Sequence, residues 1–216
     1  AESIEERGAF MVSLAGGSTP GGAYQRLAEA HLAPLINWRK VHLFWSDERG
    51  VPPDHPESNY RMARDSFIEK VPVPQANVHR IQTELDPDLA AAAYSEELKD
   101  VFGDEAVPRF DLILLGMGDD GHTASLFPGT GALNEAHRWV VPNYVEALKA
   151  WRVTLTPRVL NAARLIVFLV TGSRKSERLS QVLHGERDPQ AMPAQLVEPR
   201  NGKLLWIVDQ AAAAKL

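Results

Sequence analysis

Cysteine is absent from all 216 residues. That excludes disulfides, thiolate nucleophiles and sulfur-ligated metals together, so any nucleophile must be oxygen or nitrogen. It also fits a reducing compartment such as the cytoplasm. No apolar run approaches the roughly 20 residues that cross a bilayer, and no segment has the basic, apolar and small-residue order of a secretory signal. A soluble cytoplasmic chain with no membrane partner is expected. Charge of one sign is not blocked either: the net charge of −5 is dispersed, which argues against nucleic acid or an anionic membrane as partner. A small anionic ligand fits wherever cations converge. There is no repeat, low-complexity tract or Ser/Gly linker, so residues 1–216 are expected to form a single domain. At this length folding buries about 70% of the surface that the unfolded chain exposes. The segment "AESIEERG" reads as the last turns of a helix whose beginning is missing.

What the chain does contain is alternation. Branched apolar runs recur at residues 10–16, 41–47, 111–118, 164–172 and 204–209, and near-continuous apolarity marks parallel strands covered on both faces. Helical patterns lie between them at 20–32, 58–70, 88–102 and 173–185, and again at 210–216. Together they predict an α/β, doubly wound, mostly parallel sheet. "WRVTLT" (151–156) reads as a further strand, whereas Pro142 leaves "RWVVPNYV" ambiguous. Ligands of such sheets collect at the carboxyl ends of the strands. The loops to search are therefore "AGGSTPGG", "SDERGVPPDHPESN", "GMGDDGHTASLFP" and "TGSRK".

"AGGSTPGG" follows a strand and opens a helix, a place where free backbone N–H groups and the helix dipole suit a phosphate. A plain turn capped by Ser18 or Thr19 fits equally well. No Walker lysine follows, and Pro20 replaces the glycine of a nucleophile elbow. Gly116, Gly118 and Gly121 match a dinucleotide fingerprint, but Asp119 and Asp120 would repel a pyrophosphate and no ribose-binding acid follows on a second strand. The match is read as accidental. His122 is expected at the start of a short helix whose dipole keeps the ring neutral, with Asp120 or Asp119 orienting it as base and orienter do. Arg49 could clamp an anion, held by Asp47 or Glu48, although a solvated rim is the blander reading. Lys175, in the first turn of a helix, opposes that helix's dipole unless an anion binds there. The remaining histidines read as ordinary loop or core residues.

Taken in order, Gly16-Gly17-Ser18-Thr19-Pro20, Asp47-Glu48-Arg49 with Ser58-Asn59, Gly116 through Pro128, Asn161-Ala162-Ala163 and Thr171 through Lys175 resemble the 6-phosphogluconolactonase family, within the larger group that includes glucosamine-6-phosphate deaminases. The long middle motif is highly specific and the glycine turn moderately so. The resemblance implies a Rossmann-like fold of the sugar-phosphate isomerase kind, here without the strand and helix with which members normally begin. It implies hydrolysis of 6-phosphogluconolactone to 6-phosphogluconate in the oxidative pentose phosphate pathway. No cofactor and no metal are expected, and the partner is the phosphorylated sugar lactone, bound by a monomer or a homodimer. Carried over residue by residue, His122 with Asp120 is similar to the family's general base. Gly17, Ser18, Thr19, Arg49 and Lys175 resemble its phosphate ligands and Asn59 a sugar ligand, while Arg158 could add charge.

Two alternatives stand beside it. A deaminase would resemble I-A-F-N-E-P after its histidine, and "TASLFP" has Leu126 and Phe127 in place of that asparagine and glutamate. A non-catalytic sugar-phosphate sensor should carry a helix-turn-helix with a basic face, and no stretch resembles one.

Overall fold

The computed structural model describes residues 2–103 and 105–216. In chain order the elements are α1 (Glu2–Arg7), β1 (Phe10–Leu14), α2 (Ser18–Leu27), β2 (Val41–Trp45), β3 (Asp47–Arg49), α3 (Asn59–Ser66), α4 (Pro87–Phe102), β4 (Leu112–Leu115), β5 (Val140–Val145), β6 (Ala150–Leu155), α5 (Pro157–Leu160), β7 (Leu165–Val170), α6 (Ser176–His184) and β8 (Lys203–Val208), with short 3₁₀ turns between them. The fold is α/β, a mostly parallel central sheet flanked by helices. All five expected runs become its strands, in the order β2-β1-β4-β7-β8, and every pair is parallel.

Strand order reverses at β1, which pairs with β2 on one side and with β4 on the other. A crevice opens where the loops leaving the two strands diverge, and this is where open α/β sheets bind ligands. Two buried tyrosines set the strand ends that face it. Tyr24 of α2 accepts from the Ala15 N–H (2.9 Å) and donates to the Ala15 carbonyl (3.0 Å). Tyr94 of α4 does the same at Trp45, with distances of 2.9 and 3.1 Å. Each ring also adds apolar burial worth about 1.5–3 kcal/mol to the core.

Helix boundaries follow from side-chain chemistry. Asp86 caps α4 by accepting from the Asp88 N–H at 3.0 Å, with Pro87 in the first turn and Gly103, at φ 68°, ending it. Ser58 caps α3 through the Arg61 N–H at 3.1 Å. The C-terminal apolar run, expected as a helix, is a single 3₁₀ turn at Ala212–Lys215.

One element was not anticipated as such. β3, β6 and β5 form a separate antiparallel sheet in the order β3-β6-β5. "WRVTLT" is thus a strand, but it lies outside the parallel sheet. Pro142 sits within β5, an edge strand, where the missing N–H costs no central ladder bond. Only Ser46 separates the end of β2 from the start of β3, so this small sheet carries Asp47 and Arg49 to the carboxyl ends of the parallel strands. One buried apolar cluster, from Val12 and Leu14 through Ile113 and Leu115 to Val153 and Leu155, is common to both sheets.

Candidate active site

The crevice consists of two adjoining hollows of about 230 and 510 Å³, both lined by Asp47, Arg49, Gly118, His122, Ala124 and Lys175. The inner one adds the glycine turn after β1 and Asn59. The outer one adds Asp119, Asp120, Phe127 and Arg152. Among the described residues no three His, Asp or Glu side chains are grouped to hold a metal ion.

The glycine turn is shaped by what surrounds it. Gly17 caps α2 at φ 101°, in the left-handed region that favours glycine. A Cβ on Gly16 would lie 1.8 Å from the Asn59 Oδ1. Asn59 is itself buried and donates its amide to the Asp47 carbonyl at 2.9 Å. It therefore braces the turn against β3 while still lining the inner hollow. The Thr19 hydroxyl bonds the Thr171 hydroxyl at 2.7 Å, joining the first turn of α2 to the loop after β7. Among the described residues the Ser18 and Thr19 N–H groups have no partner in the chain, the usual state of a helix's first turn.

His122 does not start a helix. Residues 118–127 run through successive turns, with Gly121 at φ 85° and Ala124 at φ 48°, which no α-helix accommodates. Its orientation comes instead from Asp120, whose Oδ1 lies 2.6 Å from Nδ1 and also accepts the His122 N–H at 3.1 Å. With Nδ1 donating to a carboxylate, Nε2 keeps its lone pair. Phe127 stacks on the other side of the ring, 4.0 Å between centroids. Gly118 permits this seat: a Cβ there would come within 2.1 Å of Nδ1 and 2.5 Å of the Asp120 carboxylate. Burial disfavours the Asp120 anion, but the hydrogen bonds and charge of His122 outweigh it and bring the carboxyl down to about 2. The orienter is thus Asp120. Asp119 faces the other way and pairs with Lys175 at 2.5 Å, which holds its carboxyl below the ordinary range.

In β3 the alternation of side chains separates three charged neighbours. Glu48 is buried and accepts from the Arg49, Asn59 and Tyr60 N–H groups at 2.8, 2.7 and 2.8 Å and from the Ser58 hydroxyl at 3.0 Å. Burial pushes its carboxyl up, the backbone donors pull it back, and Asp47 adds to the rise. Asp47 accepts from the Ser125 hydroxyl at 2.6 Å. Neither carboxylate holds the Arg49 guanidinium as expected, because both are already committed. Arg49 instead donates to the Glu57 carbonyl at 2.5 Å.

The crevice thus gathers Gly17, Arg49, Asn59, Lys175, Asp120 and His122, with Ser18 and Thr19 in the same turn. Arg158 stays outside: it donates to the His137 and Ala106 carbonyls and lines a different hollow. Sequence reasoning did not single out Arg152, which lines the outer hollow from β6. Only its pairing opposite Arg49 places it here.

Residues 1–206 match the family described as glucosamine-6-phosphate isomerases/6-phosphogluconolactonase. The chain is 44% identical over 218 residues to a 6-phosphogluconolactonase of Synechocystis sp., covering 100% of this chain and 88% of that one. It is 40% identical to one of Nostoc sp., covering 99% and 87%. A solved 6-phosphogluconolactonase from Trypanosoma cruzi superposes with a TM-score of 0.87 at 32% identity, over 100% of this chain and 87% of that one. The chain belongs to the glucosamine-6-phosphate isomerase/6-phosphogluconolactonase family.

Proposed function

We propose that residues 1–216 act as one domain whose crevice hydrolyses 6-phosphogluconolactone to 6-phosphogluconate, with His122 as general base. Membership of the family and the 6-phosphogluconolactonases among its relatives support the reaction. The observation that carries the mechanism is the His122–Asp120 pair, 2.6 Å apart, in a hollow that also holds Arg49 and Lys175.

The chemistry needs little more. A lactone carbonyl is already electrophilic, so water attacks C1 as its proton passes to Nε2 of His122. The oxyanion is met by backbone N–H groups or a nearby cation. When it collapses, the bond from C1 to the ring oxygen breaks, and the proton on Nε2 goes to that oxygen. His122 is neutral again, and the new carboxylic acid gives its remaining proton to solvent, leaving the carboxylate and the released acid. The Gly17-Ser18-Thr19 turn, Arg49 and Lys175 hold the phosphate, and Asn59 fixes the turn that faces the sugar. The test is acid release at constant pH from freshly made 6-phosphogluconolactone, with spontaneous opening subtracted. Hydrolysis no faster than the blank would overturn the reading.

A further inference from the structure

β3 and β6 place two arginines in direct register, Arg49 opposite Arg152. Directly opposed residues share a face of the sheet, and like charges there repel. Both guanidiniums line the outer hollow together with His122 and Lys175. Neither has an ion-pair partner among the described residues. Arg49 spends one N–H on the Glu57 carbonyl, and Arg152 donates to its neighbour's carbonyl, that of Trp151, at 3.3 Å. The nearby carboxylates of Asp47, Glu57 and Glu48 act on Arg152 only from a distance. Burial and then the charge of Arg49 lower the affinity of Arg152 for its proton, the mark of a cation lacking a counter-ion. Lys175 is in the opposite condition, already neutralised by Asp119.

We infer that Arg152 is a substrate-binding residue which, with Arg49, forms a two-arginine clamp on the phosphate dianion and selects the phosphorylated lactone over the free one. The inference deepens the lactonase reading and rests on it for the identity of the ligand. A phosphate monoester carries close to two negative charges at neutral pH and three acceptor oxygens. Two planar guanidiniums side by side match that charge and geometry, and bidentate contacts add orientation to attraction. Filling the clamp also relieves the repulsion across the strand pair. The cost of keeping two like charges opposed in the empty protein is thereby explained by the ligand they await.

Binding measured by titration calorimetry on Arg152→Gln and the unmodified protein tests this without requiring turnover. The probes are 6-phosphogluconate, glucose 6-phosphate and gluconate. We expect affinity for both phosphorylated probes to fall at least about tenfold, the scale of a lost charge-assisted contact, with gluconate unchanged. Arg152→Lys should recover part of the loss, as a point charge without the fork. Melting of Arg152→Gln should occur no lower than that of the unmodified protein, since a repulsion has been removed. Unchanged glucose 6-phosphate affinity would overturn the clamp. So would equal weakening of gluconate, which would put Arg152 at C1 or in the fold, or failure of the unmodified protein to bind either phosphorylated probe. Phosphate binding that depends on Arg152 in a protein that does not open the lactone would sink the lactonase reading and leave the clamp standing.

Discussion

A histidine serves as a base only while one ring nitrogen keeps its lone pair, and Asp120 secures this by accepting from Nδ1. If His122 is that base, His122→Ala should lose roughly 10²–10⁴-fold in kcat while its affinity for 6-phosphogluconate stays near normal. A folded variant with ordinary turnover would remove histidine from the mechanism. Asp120 supplies a second readout. Its carboxyl is brought down to about 2 from an ordinary 3.8, so its contribution to stability is complete above the ordinary value and fades as pH falls through about 2. Stability curves of Asp120→Asn and the unmodified protein should therefore differ at neutral pH and converge in strong acid. A gap that stays fully open below about pH 2 would contradict the pairing. Neighbouring aspartates are indistinguishable in "GDDGH", because their partners come from different places: Asp120 meets the ring two residues on, whereas Asp119 meets Lys175 from the loop after β7. That second pairing ranks two phosphate variants. Arg49→Ala should raise KM for the phosphorylated lactone about 10- to 150-fold, the equivalent of 1.5–3 kcal/mol. Lys175→Ala should do more, since it also exposes the Asp119 charge, and adding Asp119→Asn should recover part of the loss. No recovery in the double variant would mean that Asp119 does not face the phosphate.

At the scale of elements, Glu48 joins β3 to α3. One carboxylate meets the first two amides of α3, the amide of Arg49 and the capping hydroxyl of Ser58. Glu48→Ala strands these donors in a buried place, so unfolding in denaturant should show a loss of at least about 2 kcal/mol, more than the roughly 1 kcal/mol of a lost cap in Ser58→Ala. kcat/KM should fall with it, because Arg49 and Asn59 lose their support. Equal stability in the two proteins would show that water replaces the carboxylate. None of this was legible beforehand: a buried glutamate and a solvated rim glutamate look alike in "SDERG". The parallel strands were legible because burial on both faces imposes unbroken apolar runs, as in "LIVFLV" of β7. β3 has no such signature, being three charged residues, and Pro142 disguises β5, where an edge position makes proline harmless. The small sheet could be inferred only from long-range pairing, and with it went Arg152. His122 lies in the crevice, in the loop after a parallel strand where it was expected, but not at the helix start expected to keep its ring neutral, since the glycines around it form turns.

For the molecule as a whole, one family name covers two chemistries, and the crevice must be set up for one of them. Ring opening of an amino sugar phosphate, as deaminases perform it, uses an acid beside the histidine. Lactone opening needs only a base for water and a proton returned to the ring oxygen. Here the residue against the imidazole is Phe127, stacked at 4.0 Å. The carboxylates that line the outer hollow are engaged: Asp120 by His122, Asp119 by Lys175 and Asp47 by Ser125. A single preparation should therefore release acid from 6-phosphogluconolactone and no ammonia from glucosamine 6-phosphate, measured side by side at the same enzyme concentration. Chelator should leave the acid release unchanged, because a lactone carbonyl is electrophilic enough for water activated by histidine. Activity lost to chelator and restored by one particular divalent ion would show that a Lewis acid shares the work of His122. Ammonia formed at rates comparable to acid would mean that one of the engaged carboxylates swings free to protonate the sugar ring, and the first to examine would be Asp47, which among the described residues is restrained at its side chain by Ser125 and by a long contact of 3.4 Å with Asn59.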